Sequence, residues 1–566
     1  MEPVIETLLA AAPLLIIGVL LVGLLWPAER VMPIAWGAAA GIALLVWELP
    51  VTFVVAASLS GVMAAVEILW IVFGALVLLY TLMRSGAVDR INAGFAAISD
   101  DRRVQVILLG FFLATFIEGV AGFGTPAAVV APLLLALGFP ALAAVVAALI
   151  GHAVATVFGA VGTPVLVGFG TPLSAVEDRI LEGTGLTAGE FAAEVAVYAA
   201  LFNGVLGVLM PLAAVAVVVR FFGAERSIAP ALAVAPLAVV SGIAFAVPYV
   251  AVAAFVGPEL PSVLAAMIGG GVVVALLRVG YLEPDEEWTF PPREEWPTHW
   301  VGTIEPGGAG DAAAASEAPS MGLLRAWSPY LVLVGLLVTT RVVEPVTTFL
   351  RDGPFMAIAW DVLGTGIVGE IEWAYVPGTW LLVSALVAVP LFGLDGDEVV
   401  GAWRDAASTV ATPAVVLAFV IAMVEVMLET DAHGGPVDGS MIVVLADGTA
   451  AVFGPAYPFV APAVGLVDSF VTGSITVSNV TFAAFQFEIG TTLGLSTTVL
   501  LAGQTVGAAV GNLIAIHNVV AALATVGLTG ATGRVIRLNL LPIVYYLIAG
   551  GLLTAVGTYV LFPTLF

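Results

Sequence analysis

Residues 116–126 read FIEGVAGFGTP, so a glutamate and three glycines interrupt an apolar run that is long enough to cross a membrane. Charged side chains and irregular backbone are costly in hydrocarbon, and they are tolerated there only where they are buried in protein or line a wet cavity. We therefore predict that residues 104–138 form two half-length helices that meet at a glycine-rich tip. Residues 452–493, interrupted by VTGSITVSN, have the same character.

Apolar runs of about twenty residues, the length of one membrane span, recur over the whole chain of 566 residues, 61% of which are hydrophobic. They predict an all-α polytopic membrane protein with about 12 transmembrane helices and two re-entrant helical hairpins. Residues 51–66 are apolar too, and whether they span or lie at the interface stays open. The predicted spans are 8–26, 31–48, 67–83, 141–168, 191–219, 229–256, 261–278, 326–342, 374–392, 405–428, 496–526 and 538–562.

The arginines predict how the chain is oriented, because cytoplasmic loops of membrane proteins collect positive charge. If each hairpin enters and leaves by one face, every arginine except Arg179, Arg341 and Arg351 falls inside. The two hairpins then open to opposite faces, and both chain termini lie outside. This pattern predicts two inverted-topology repeats in the plasma membrane, with a binding site near the midplane.

The same reading divides the chain into four segments. Residues 1–66 hold N-terminal spans, 67–280 form the first transport repeat with hairpin 104–138, and 326–566 form the second with hairpin 452–493. Residues 281–325 carry nine acids and the run GGAGDAAAASEAPS, which is typical of a flexible linker, here acidic and cytoplasmic.

Composition excludes several classes of protein. The chain has no cysteine, so thiolate metal sites and disulfides cannot form, and we expect no metal and no cofactor. Without lysine there is no phosphate-binding loop for an ATPase, and a net charge of −25 makes nucleic acid an improbable partner. A surface rich in acids and free of lysine suits a salt-loving host. The N-terminus lacks a basic region and is interpreted as a retained first span.

The two hairpin tips are the predicted substrate site. Glycines let the chain turn and approach a ligand closely, and the helix that starts after each tip directs free N–H groups and a positive dipole end toward it. Such a site binds a small carboxylate without lysine or arginine. Thr125 and Asn479 are expected to cap the outgoing helices, and Pro126 suits the first turn. The predicted substrate-binding residues are Gly119, Gly122, Gly124, Thr125, Gly473, Ser474, Thr476, Ser478 and Asn479.

Glu118 is the predicted coupling group, since a carboxylate in a low-dielectric site favours its protonated form and can carry a proton with the substrate. The alternative is that Glu118 only ties the hairpin through hydrogen bonds. His152 and His517 lie in glycine-rich, broken spans that follow the two hairpins, where they relay protons or are simply hydrogen-bonded. Glu425, Glu429 and Asp468 are expected to be solvated near the outer surface.

These tips resemble the L-lactate permease family of bacteria and archaea. FIEGVAGFGTPAAVVAPLLLALGF resembles its glutamate-led hairpin, AWSPYLVLV the start of its second half, and FVTGSITVSNVTFAAFQ its second hairpin, in the same order. The resemblance covers most of the chain, and the composition favours a haloarchaeal member. It implies a secondary transporter that imports lactate, and often glycolate, together with a proton.

Two stretches depart from the family pattern. Ile475 stands where an aspartate is expected after TGS, and Ile516, His517 and Asn518 stand where proline, glutamine and serine are expected. The missing carboxylate leaves the coupling ion open between H⁺ and Na⁺. It also leaves open a sodium-coupled carrier of di- or tricarboxylates. The oligomeric state stays open as well, including a homo-oligomer.

Two further classes are more remote. A channel could be lined by hairpins, but nothing in the sequence gives a ring of like groups. An intramembrane protease is suggested only by GAGD at 308–311, which lies in the polar linker, and there is no H-E-x-x-H pair. We therefore expect a transporter and not an enzyme.

Overall fold

The computed structural model describes residues 3–24, 26–122, 124–306, 321–528 and 530–566. Within these ranges the chain is a bundle of α-helices, most of which are joined by short turns. The helices are α1 Pro3–Ile17, α2 Ala28–Leu45, α3 Val51–Arg84, α4 Ala87–Ala96, α5 Arg102–Gln105, α6 Ala114–Ala121, α7 Thr125–Ala136, α8 Ala141–His152, α9 Gly159–Leu166, α10 Gly170–Ser174, α11 Glu177–Thr184, α12 Ala188–Gly207, α13 Met210–Phe222, α14 Ala229–Ala233, α15 Ala235–Phe255, α16 Pro261–Arg278, α17 Leu323–Val342, α18 Glu344–Asp352, α19 Pro377–Phe392, α20 Gly396–Leu428, α21 Met441–Phe453, α22 Tyr457–Thr472, α23 Ile475–Leu493, α24 Thr497–Gly511, α25 Ile516–Thr525 and α26 Thr532–Val556.

In the described ranges, 13 helices or runs of consecutive helices are long and apolar enough to cross a membrane. This confirms the prediction of an all-α polytopic membrane protein with about 12 spans. One such run, Met441–Thr472, includes α21, a helix that the sequence reading did not predict.

Burial separates the inner helices of the bundle from the outer ones. The most apolar windows of Arg102–Ala121, Ala141–Ser174 and Thr497–Ile514 are 100% buried, whereas that of Pro3–Leu21 is only 22% buried. The first arm of the first hairpin and the broken spans therefore form the centre of the molecule. Their glycines and irregular turns are surrounded by protein, as backbone at membrane depth requires.

Two long helices, α3 and α20, pack against each other along their lengths. Residues 51–66 and 67–83 are both part of the single helix α3, so the predicted segment boundary between 66 and 67 falls inside a helix. The sequence predicts a boundary there because Glu67 lies between two apolar stretches. Glu67 is accommodated because its carboxylate accepts a hydrogen bond from the Glu372 N–H at 2.7 Å.

The predicted linker is not a free tether over its first part. The N–H of Trp288 donates to the Asp101 carboxylate at 2.9 Å, and its carbonyl oxygen accepts from the Arg102 N–H at 3.1 Å. Trp300 is buried against Phe222, and the Thr303 N–H donates to the Gly527 carbonyl oxygen at 2.8 Å. The expectation of flexibility is wrong here because tryptophans among the acids anchor the segment. Residues 307–320, including GAGD, lie outside the described residues.

A short antiparallel pair, β1 Ile358–Asp361 and β2 Val368–Ile371, forms the only strands in the described ranges. The sequence reading did not predict it. β1 is exposed along its whole length, so this hairpin is a surface feature between α18 and α19.

Candidate functional site

The first tip is a sharp turn between α6 and α7. Gly122 and Gly124 have φ angles of 60° and 76°, which only glycine adopts without strain. α7 then packs back against the segment Val106–Leu113 that leads into α6, so the two arms form a hairpin. Pro126 occupies the first turn of α7 as predicted. Thr125 does not cap the helix, because its hydroxyl donates to the Gly122 carbonyl oxygen at 2.8 Å and ties the turn instead.

The second tip lies between α22 and α23. Gly473 has a φ of 68°, and the Ser474 hydroxyl accepts from the Val477 N–H at 3.3 Å. The prediction that Asn479 caps this helix is therefore wrong, since the helix begins a full turn earlier. The Asn479 amide instead donates to the Pro164 carbonyl oxygen at 2.8 Å and links the second hairpin to α9.

The span after each hairpin is broken, as the glycines predicted. In the first, α8 passes through a 3₁₀ segment, Ala153–Phe158, before α9. Ala160 and Val161 have φ angles of 43° and 54°, a strained conformation for residues with a β-carbon. In the second, the 3₁₀ segment Asn512–Ile514 separates α24 from α25.

Both tips and both broken spans line one small cavity. Its volume is about 20 Å³, which is room for one water molecule. Residues from four separate parts of the chain thus meet at one point in the bundle. The lining residues are Glu118, Gly122, Thr156, Gly159, Ala160, Pro164, Gly473, Ser474, Ile475, Thr476 and Asn512.

Among the described residues that line this cavity, Glu118 is the only acid and none is basic. It lies in the last turn of α6 and is 3% exposed. One carboxylate oxygen, Oε1, packs against Gly159, where an added β-carbon would lie 2.5 Å away. The other, Oε2, is buried and has no hydrogen-bond partner among the described residues. The alternative that Glu118 ties the hairpin through side-chain hydrogen bonds finds no support in these contacts.

The structure separates the residues predicted to bind substrate into two groups. Gly122, Gly473, Ser474 and Thr476 line the cavity together with Glu118. The remaining predicted residues make other contacts. Gly119 faces Ser262 and Val263, Gly124 faces the side chain of Asn518, Thr125 ties the first turn, Ser478 contacts Gln504, and Asn479 contacts Pro164 and Thr505.

The two predicted histidines occupy different surroundings, and neither lines the cavity. His152 is fully buried, with Nδ1 at 2.8 Å from the Ala148 carbonyl oxygen and Nε2 without a partner among the described residues. His517 is exposed, and its ring covers Gly473 so closely that a β-carbon there would clash with it.

Several cavity residues were missed from the sequence: Thr156, Gly159, Ala160, Pro164, Ile475 and Asn512. A repeated tripeptide could have predicted the turn within α9. The tripeptide Gly-Thr-Pro of the first tip, residues 124–126, recurs at residues 162–164, where the chain turns again.

The expectation that three acids are solvated is wrong for Glu425, and both Glu429 and Asp468 are only partly exposed. Glu425 is 7% exposed, inside the bundle. Asp468 is partly buried, and its Oδ2 atom is fully enclosed and has no partner in the described part of the chain. The apolar run alone does not show which face of a helix points into the bundle, so the sequence did not predict the burial of Glu425 and Asp468.

Comparisons with known proteins agree on one family. A family model described as L-lactate permease matches residues 6–561. The putative L-lactate permease of Haemophilus influenzae is 26% identical over 96% of this chain and 94% of its own. The glycolate permease GlcA of Escherichia coli is 26% identical over 92% and 90%, and the L-lactate permease of Bacillus subtilis is 26% identical over 89% and 87%. The solved structure of Neisseria gonorrhoeae MtrF aligns over 87% of this chain and 81% of that one, with a TM-score of 0.41 and 13% identity.

Proposed function

Because this chain belongs to the L-lactate permease family, we propose that it is a secondary transporter importing L-lactate and similar small 2-hydroxy monocarboxylates, such as glycolate, across the plasma membrane. The observation that carries the proposal is the single cavity where both hairpin tips and both broken spans meet. The relatives named for lactate and glycolate align over nearly their whole length, which supports this substrate class.

The substrate carboxylate is held by the start of α23. Ile475 and Thr476 precede Ser478, whose N–H makes a helical bond to the Ser474 carbonyl oxygen at 3.1 Å, so their own N–H groups have no partner within the helix. The positive end of the helix dipole adds to these donors. Ser474, Thr476 and Thr156 line the same cavity, and hydroxyl side chains of this kind suit the 2-hydroxyl group of the substrate.

The cavity must widen for transport. At about 20 Å³ it holds a water molecule and no three-carbon acid. A relative movement of the two hairpins would open it to one face at a time, as in other carriers with inverted repeats. This is the role that we propose for residues 67–280 and 326–566, with the tips near the midplane, the termini outside and the linker in the cytoplasm.

Glu118 couples the substrate to a proton through charge exclusion. Two negative charges about 4 Å apart repel by about 4 kcal/mol in surroundings of intermediate dielectric, roughly a thousandfold in affinity. A substrate anion therefore binds beside Glu118 when that carboxyl group is protonated. Substrate and proton then enter and leave together, which is symport.

Uptake of radiolabelled L-lactate by vesicles containing the purified protein tests the proposal. We expect accumulation when the outside is acidic, and competition by unlabelled glycolate. Succinate and citrate should not compete, because a second carboxylate would lie in a cavity without basic groups. Competition by succinate or citrate without competition by lactate would instead favour a di- or tricarboxylate carrier.

Counterflow separates a carrier from a channel. Vesicles loaded with unlabelled lactate should concentrate labelled lactate transiently, since a carrier exchanges one molecule for another. A channel would equilibrate the label without an overshoot.

A further inference from the structure

Asp468 is a carboxylate that the proton cycle above does not use. It lies just before the last turn of α22, which ends at Thr472, and the helix dipole is negative at this end. Its Oδ2 is enclosed and has no hydrogen-bond partner among the described residues. The helix end and the burial both disfavour a free negative charge at this position, so the carboxylate requires a cation or a proton.

The groups around Asp468 supply oxygen atoms. The Ser478 hydroxyl lies beside the Asp468 carboxylate and donates to the Gly465 carbonyl oxygen at 3.4 Å. The Gln504 side-chain NH₂ group donates to the same hydroxyl at 3.1 Å. Gln504 is 0% exposed, and its amide oxygen has no partner among the described residues. The adjacent Ser469 is also fully buried, and no described residue hydrogen-bonds to its hydroxyl.

We propose that Asp468, Ser478 and Gln504 form a binding site for one sodium ion between α22, α23 and α24, directly behind the second tip. A proton on Asp468 could be shared with at most one neighbouring acceptor, such as the Gln504 amide oxygen. A metal ion contacts several oxygens at once, and hard cations take carboxylate, amide, hydroxyl and carbonyl oxygens. Asp468 is the single carboxylate of the proposed site, and divalent sites usually have more negative charge than that. The low charge therefore favours a monovalent ion.

The sodium site extends the proposed function. Of the tests below, only the transport assay depends on that function; the test of sodium binding does not. Ile475 occupies the tip position where the family pattern predicts an aspartate, and Asp468 brings a carboxylate to the same hairpin from the opposite arm. A cation there neutralises the negative end of α22 and so stabilises the tip whose N–H groups face the substrate.

Thermal unfolding of the purified protein tests the binding of sodium directly. Wild type is compared in NaCl, KCl and choline chloride at equal ionic strength and pH. We expect a saturable rise in Tm with Na⁺ only, since an ion that binds the folded state alone stabilises it. Equal Tm values in the three salts, or an equal rise with K⁺, would overturn the sodium site.

Three variants assign the effect to these residues. Asp468→Asn should abolish the Na⁺-dependent rise in Tm, and Ser478→Ala should increase the Na⁺ concentration at half effect at least tenfold. Asp447→Asn is the matched control, because Asp447 is an exposed carboxylate on the neighbouring helix α21, and it should respond as wild type does. A full Na⁺ response in Asp468→Asn, or an unchanged midpoint in Ser478→Ala, contradicts the proposal.

Lactate counterflow at one fixed pH, with Na⁺ or choline on both sides, gives the transport readout. We expect counterflow by wild type and Asp447→Asn to be several-fold faster in Na⁺, and that of Asp468→Asn to be slow in both salts. Counterflow of equal speed in Na⁺ and choline would count against the site. If wild type shows no lactate counterflow in any salt, the proposed substrate is wrong, while the Tm series still decides whether sodium binds.

Discussion

In the proposed symport, proton coupling depends on Glu118, because among the described residues it is the one acid that lines the cavity and its Oε2 atom has no hydrogen-bond partner. Glu118→Gln mimics the protonated side chain. We expect this variant to lose accumulation of lactate driven by external acid while it keeps lactate counterflow. The measurement is uptake and counterflow in the same vesicles, at matched protein content.

Glu182→Gln is the control for that change, since Glu182 is exposed on α11. It should accumulate lactate as wild type does. If Glu118→Gln still concentrates lactate in response to a pH gradient, the proton is carried elsewhere, and His152 or His517 becomes the candidate.

Gly473 combines two requirements that a β-carbon would violate. Its φ of 68° is left-handed, and a β-carbon would clash with the His517 imidazole. We expect Gly473→Ala to reduce lactate uptake at least tenfold, with partial recovery in the double variant Gly473→Ala/His517→Ala. Uptake by vesicles and Tm measure the two effects.

Gly494→Ala isolates the backbone strain, because Gly494 has a φ of 63° but open space around its α-carbon. This variant should cost about 1 kcal/mol of stability and leave uptake unchanged. Equal loss of uptake in Gly473→Ala and Gly494→Ala would show that the contact with His517 has no special role.

At the scale of helices, the packing of α3 on α20 depends on Gly61. A β-carbon there would lie 2.6 Å from the Ala422 backbone, and small residues allow such close approach in membrane proteins. Gly61→Ala should therefore destabilise the protein by about 1–3 kcal/mol. The measurement is thermal unfolding in detergent.

Gly41→Ala serves as the control at this scale. Gly41 lies inside α2 with nothing within 4 Å of an added β-carbon, so alanine should be neutral or slightly stabilising through its helix propensity. A decrease in Tm of equal size for both variants would contradict the close packing of α3 on α20.

At the scale of the whole molecule, a buried ion pair joins the two halves of the chain. Arg341, at the end of α17, binds Glu259 in the turn before α16, and the two side chains are 5% and 3% exposed. Removing one partner leaves a buried charge without compensation, so Arg341→Gln should lower the free energy of unfolding by about 3–5 kcal/mol. Glu259→Gln/Arg341→Gln should be less destabilised than either single variant.

Arg84→Gln provides the comparison, because Arg84 and its partner Asp405 also join the two halves but are 37% and 47% exposed. Its loss should cost less than about 1 kcal/mol. Tm values for wild type and the four variants test the difference, and equal losses for Arg84→Gln and Arg341→Gln would count against the role of burial.

The sequence by itself determined that the chain is an all-α membrane protein with two glycine-rich turns and two broken spans. The length of an apolar run decides whether it can cross the membrane, and glycine and proline decide where the backbone can turn. Both effects are local, so they can be predicted from the sequence. The same reasoning selected Gly122, Gly473, Ser474, Thr476 and Glu118, which line one cavity in the structure. The same local reasoning misplaced the caps at Thr125 and Asn479, because the position where a helix begins depends on which partners its first residues find.

Only the tertiary structure decided which polar groups face one another. Pro164 and Asn479 are 315 residues apart and in hydrogen-bond contact, and Thr156, Asn512 and the second tip share one cavity. It also placed Glu425 and Asp468 inside the bundle. Inward and outward faces of a membrane helix are equally apolar in sequence, since lipid and protein interior are similar surroundings, so burial of a polar side chain emerges only when the helices pack.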